Sequence, residues 1–228
     1  MDKYEYQRLV KPLIEAEDQK LIKFIGGDGP RSTKSKGEDF FNEYKHYLLD
    51  TMLGFYSFTN GYSYNWEGNI PTRNEGQKTS ERGIINIVPL DELFERPNIV
   101  ELEKGYNYYI EGEDSFSKTG QFIPVDYIED VCAGVFSKEN EDEMVYFHDF
   151  GIGFYPLKVN FEGYVELVFA ARGYMMWQYV IVYLEYGKYD GAMLGKSRYD
   201  DFVEDMPLLF PDFKMDEFIK LYESLKIK

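Results

Sequence analysis

The chain has 228 residues, 44% of them hydrophobic, which is enough to bury one sizeable core. Forty-one acidic side chains against 25 basic ones leave a net charge of −16, a balance that repels nucleic acid and attracts basic proteins. The single cysteine, Cys132, excludes an internal disulfide and points to a reducing compartment.

In chain order, Leu13, Ile14, Leu21, Phe24 and Ile25 fit one face of an N-terminal helix, with Pro12 in its first turn and Gly26 at its end. Residues 26–37 read as a polar linker, so residues 1–36 form a helical extension ahead of one domain at 37–228. Lys34 follows Thr33 and a helix precedes it, which argues against a phosphate loop. Phe40, Phe41, Tyr44, Tyr47, Leu48, Thr51, Met52 and Phe55 then recur at helical spacing and predict an amphipathic helix of some eighteen residues. His46 falls off that stripe, on the surface. Asn60-Gly61 stops the pattern, because both residues tolerate positive φ. In the strand that follows, Tyr62, Tyr64 and Trp66 share one face.

Residues 68–82 are polar and read as a loop, and 83–88 as a buried strand ended by Pro89. A helical turn is expected at 91–94 and a weak strand at 106–110. Short β-rich runs at 122–128, 131–136, 144–147 and 153–159 have the spacing of an antiparallel meander. The acidic residues Glu139, Glu141, Asp142 and Glu143 should form an exposed loop between two of them. Asn160 can cap a helix that buries Phe161, Tyr164, Val165, Val168 and Ala171. Residues 174–184 have strand propensity by composition. Final helices are expected at 198–205 and 214–226, divided by Pro207 and Pro211, the last anchored by Phe218, Ile219, Tyr222 and Leu225.

The runs FYSFTNG (55–61), YSYNW (62–66), GIINIVPLDEL (83–93) and PLLFPDFKMDEFIKLYESL (207–225), with the aromatic helix near Trp177-Gln178, resemble the SUKH superfamily over residues 38–228. Its members are bacterial immunity proteins related to fungal cell-wall-synthesis regulators. The resemblance implies an α+β fold and a non-enzymatic protein that binds a partner, and it favours helix at 174–184. It also implies that the partner is a cognate toxin domain, for which the charge pattern suits a basic surface. With the elements above, the expectation is a central antiparallel sheet of about four to six strands with helices packed against it. The relatives also suggest an alternative, a structural or regulatory scaffold.

Charge is unevenly spread: the first 36 residues carry +2, leaving −18 on the rest. Residues 91–149 hold sixteen acidic and four basic side chains, −12 in about a quarter of the chain. The expected partner-binding residues are therefore Glu111, Glu113, Asp114, Glu139, Glu141, Asp142 and Glu143, with Tyr62 and Tyr64 giving short-range contacts. Asn60, Gly61, Trp66 and Trp177 are expected in structural roles.

Catalytic patterns are sparse. Two histidines 102 positions apart and one cysteine do not make a zinc cluster, and His148-Asp149 reads as a strand-end pair. No Gly-x-Ser-x-Gly elbow occurs, and Gly151-Ile152-Gly153 lacks the third glycine of a dinucleotide fingerprint. Paired carboxylates leave an enzyme as a third reading. No metal and no cofactor is expected. Residues 1–5 lack the apolar run of a signal peptide, and the longest uncharged apolar-rich segment, 173–184, is too short for a membrane span. A soluble, cytoplasmic protein is expected.

Overall fold

A computed structural model describes residues 3–30, 41–42, 44–71, 78–95, 100–101, 121–128, 131–136, 143–149, 153–187 and 192–227. The expected α+β class is what the chain adopts. Among the described residues, however, the antiparallel sheet has eight strands, more than the four to six expected, because residues 22–30 and the short pair at 100–101 join it. Strands β1 (Ile22–Pro30), β2 (Tyr62–Pro71) and β3 (Lys78–Ile87) form one half. The short β4 (Val100–Glu101) pairs with β5 (Gln121–Ile128), which leads into β6 (Val131–Phe136), β7 (Met144–Asp149) and β8 (Gly153–Asn160). This second half is the expected meander. The expected strand at 106–110 lies outside the described residues.

Period-two alternation sorts the meander's side chains into two separate apolar clusters. Ile123, Val125, Val131, Ala133, Val135, Val145, Phe147, Leu157 and Val159 join the main core. Phe122, Cys132, Phe136, Tyr146 and Phe154 form a second buried cluster. Every residue of β6 is buried as a result, whereas many antiparallel sheets leave one face wet.

The helices α1 (Lys3–Asp18), α2 (Asp50–Phe58), α3 (Leu90–Glu95), α4 (Phe161–Ala170), α5 (Gln178–Tyr186), α6 (Ala192–Leu209) and α7 (Met215–Leu225) pack around the main core. Asn160 caps α4 as expected, its Oδ1 accepting from the Gly163 N–H at 2.9 Å. The segment 174–184 contains the start of a helix, α5, despite its β-branched residues. Pro207 does not divide the last helices; it lies within α6, which continues to Leu209.

The N-terminal extension differs from expectation. Helix α1 ends at Asp18, and Pro12 stands in its interior, removing the N–H that would donate to Arg8. Val10, Leu13 and Ala16 face the core, while Ile14 is 49% exposed. Residues 22–30 are an edge strand paired with β2, not helix and linker, and Ile25 is 51% exposed on it. Tertiary pairing overrides the helical spacing here, with bulges at the glycines. A Cβ on Gly27, at φ +105°, would lie 2.6 Å from the Ser63 carbonyl oxygen. Residues 31–37 of the expected linker lie outside the described residues.

Two further elements are corrected. The expected eighteen-residue helix is interrupted, with a turn at 45–47 and an extended Leu49 before α2 begins. Across the interruption Leu48 and Leu49 are buried, while Tyr47, a member of the expected apolar stripe, is 56% exposed. The expected loop at 68–82 is mostly strand, because β2 and β3 stay in register out to Pro71 and Lys78. Glu67 supports that polar extension by accepting from Ser80 Oγ at 2.8 Å and pairing with Arg82 at 3.6 Å.

Candidate partner-binding surface

Asn60 and Gly61 form the expected stop. Gly61 has φ +84°, and a Cβ there would lie 2.7 Å from the Ile87 carbonyl oxygen. Asn60 reaches across to α3, accepting from the Leu90 N–H at 2.8 Å and donating to Asp91 Oδ1 at 3.0 Å. The turn therefore fixes where β2 starts and where α3 begins.

Both tryptophans are core residues, as expected. Trp66 is fully buried, packs edge-to-face on Phe210 and donates its indole N–H to the Arg172 carbonyl at 2.7 Å. Gly83 makes this possible: a Cβ at that position would sit 2.0 Å from the indole ring. Trp177 is buried between Tyr164 and Phe218. Tyr62 departs from expectation. It is 2% exposed and packs on Phe169, so its ring cannot meet a partner. Tyr64 is half-buried, with Phe24 of β1 edge-on at 4.1 Å.

Of the acidic candidates, Glu143 is half-buried just before β7. Glu111, Glu113, Asp114, Glu139, Glu141 and Asp142 lie outside the described residues. Two other members of the acidic stretch are not solvated surface groups. Asp126 is completely buried, and Asp149 accepts a hydrogen bond from the Tyr179 hydroxyl.

Further acidic side chains stand on α6 and after it. Asp200, Asp201 and Glu204 are exposed along α6, and Asp212, Asp216, Glu217 and Glu223 are exposed in the segment and helix that follow. Part of this charge is paired: Lys196 with Asp200, Arg172 with Asp212 at 3.2 Å and Lys214 with Glu217 at 2.9 Å. Closer to the sheet the carboxylates crowd. Tyr174 Oη donates to Asp205 at 2.7 Å and reaches Glu81 Oε2 at 3.5 Å. Partial burial, then the charges of Asp205 and Asp201, push the Glu81 carboxyl above its ordinary range, and Arg198 offsets part of that rise. The sequence does carry a signal for this face. Asp200/Glu204 and Asp201/Asp205 are like charges at i, i+4, an arrangement that costs an isolated helix stability.

The remaining reactive groups are shielded. Burial pushes the Cys132 thiol far up, as expected of a structural cysteine. His148 stacks on Phe154 with ring centroids 4.0 Å apart, and burial lowers its pKa to about 4 despite the neighbouring Asp149. The buried carboxyl of Asp126 has the raised pKa of a general acid, but it has no exposed surface on which a substrate could dock. An open cleft of about 340 Å³ beside β1 is lined by charges of both signs, Glu17, Lys20, Lys23 and Glu67. Among the described residues, no three His, Cys, Asp or Glu side chains cluster to hold a metal ion. No described helix is long and apolar enough to cross a membrane.

Fold and surface together define an α+β protein with an eight-stranded antiparallel sheet and an acidic helical face. Comparison with family models, with curated proteins and with solved structures gives no match.

Proposed function

We propose that this chain is a non-enzymatic protein-binding module, an immunity protein that neutralises a toxin domain with a basic surface. The reading rests on the crowding of Glu81, Asp201 and Asp205 around Tyr174. Partial burial, reinforced by the neighbouring charges of Asp205 and Asp201, makes the Glu81 carboxyl resist ionisation. A cationic partner relieves that repulsion on docking, and the net charge of −16 steers it in. The resemblance of 55–66, 83–93 and 207–225 to the SUKH superfamily supports the same assignment. Action in the cytoplasm suits a chain whose lone thiol is buried and unpaired.

The experiment pairs the chain with the toxin candidate encoded beside its gene. Co-expression restores growth, and reversing Asp201 and Glu204 to Lys slows association roughly tenfold at low salt and flattens its salt dependence. A second variant reverses Glu139, Glu141, Asp142 and Glu143. Failure of the chain to bind or protect against that toxin rejects the immunity reading. Association rates indifferent to both sets of reversals reject steering by these surfaces.

A further inference from the structure

The two halves of the sheet meet at a narrow seam. Strands β3 and β5 are paired at a single position, Ile87 opposite Asp126. Beside it, the Val88 N–H donates to the Val125 carbonyl at 2.9 Å and the Asn86 side chain donates to the Tyr127 carbonyl at 3.1 Å. Elsewhere the ladders are longer, with ten paired positions between β2 and β3 and six between β5 and β6.

Asp126 sits at that seam with its side chain turned inward. The β5–β6 register shifts between Pro124 and Asp126, a bulge that changes the phase of β5. Ile123 and Val125 face the main core before it and Ile128 after it, so Asp126 acquires the inward direction that strict alternation denies it. Its carboxylate then collects the helices. Tyr164 of α4 donates to Oδ2 at 2.6 Å. Gln178, the first residue of α5, donates to Tyr164 Oη at 2.9 Å and to Asp126 Oδ2 at 3.4 Å.

Around this carboxyl stand Tyr56 from α2, Tyr164 from α4, Gln178 from α5 and the backbone at Asn86 of β3 and at Tyr127, while Cys132 of β6, in the second cluster on the other face of the sheet, still feels its charge. None is a cation. Tyr56, Tyr164 and Cys132 are each pushed up by burial and then by the charge of Asp126, so they stay neutral when it ionises. A buried charge without a counter-ion is strongly disfavoured, while the same group in neutral form is readily held by hydrogen bonds. Gln178 Oε1 has no hydrogen-bond partner among the described residues. Rotation of its amide offers that oxygen to the Tyr164 hydroxyl once a protonated Asp126 donates to Oη.

We propose that Asp126 is a proton-controlled latch at the seam: protonated, it fastens the two sheet halves to α4 and α5, and ionised, it loosens them. Burial raises its pKa to about 7, against the opposing pull of the Tyr164 hydroxyl and the backbone near Asn86 and Tyr127. The folded value lies above the unfolded one of about 4, so the folded state holds the extra proton between them. The contribution to stability is complete below about pH 4, falls as pH rises toward about 7 and is lost above that.

Two measurements test the latch. Urea unfolding of the full chain and of Asp126→Asn is followed from pH 5 to 8. The unfolding constant of the variant relative to wild type drops close to tenfold per pH unit up to about pH 7, then levels off. A ratio constant across this range overturns the proposal. Hydrogen exchange on the wild-type chain serves even if the variant does not fold. Protection of the Val88 amide falls at least about fivefold relative to the Phe210 amide between pH 5 and 7.5, after correction for intrinsic exchange. Equal changes at both amides, or none, overturn a latch located at the seam.

Discussion

At the hairpin half of the sheet, Trp66 lies against Phe210, fills the space that Gly83 leaves open and places its N–H on the Arg172 carbonyl. At the meander half, Asp126 does the corresponding work of joining strand to helix with a carboxylate, a phenol and an amide. The first fastening buries a large ring whose only polar hydrogen is satisfied, so its strength owes nothing to pH. The second depends on whether one buried oxygen carries a proton. A sheet can therefore be tied to the same helical layer by contacts that differ in how they respond to solution conditions.

The largest effect is expected from damage to the apolar fastening. Gly83→Ala places a methyl group 2.0 Å from the Trp66 ring, and overpacking of that severity should cost about 3 kcal/mol or more. Thermal unfolding at pH 5 and pH 8 should show similar losses, and a strongly pH-dependent loss would erase the contrast. Next comes Tyr164→Phe, which removes the hydroxyl that Asp126 accepts from. The hydroxyl offsets part of the cost of the buried carboxylate, so although the latch as a whole is weaker at pH 8, the loss expected there is about 2 kcal/mol, shrinking to about 1 kcal/mol at pH 5, as read from urea titrations.

Asn160→Ala belongs to neither fastening and calibrates both. It exposes the first turn of α4 and should cost about 1 kcal/mol at every pH between 5 and 8. The smallest effect on stability is expected on the exposed face of α6. Reversal of Asp201 and Glu204 should leave the unfolding midpoint unchanged or slightly raised, because it relieves like-charge crowding near Glu81. A marked loss of stability there would mean that this acidic face is structural.

Much of the fold was legible because its signals are local. The Asn60-Gly61 stop, the shared face of Tyr62, Tyr64 and Trp66, the meander spacing and the Asn160 cap each depend on a few adjacent residues. Burial was legible for Trp66 and Trp177 for the same reason. For Tyr62 the alternation that puts it on the face of the core Trp66 carries the same signal, which its placement as a partner contact set aside. The acidic face of α6 was visible as i, i+4 pairs, but residues 91–149 carried the denser charge and drew the assignment away from it.

The amino-acid order by itself determined an α+β chain with an antiparallel meander, a capped helix, two core tryptophans and a strongly acidic exterior. Only the tertiary structure decided that residues 22–30 join the sheet, that β2 and β3 extend to Pro71 and Lys78, and that Asp126 is interior. Each of these depends on strand pairing between distant residues or on a bulge that resets alternation. Periodicity along the chain reports which neighbours share a face, and it contains no term for what that face will meet.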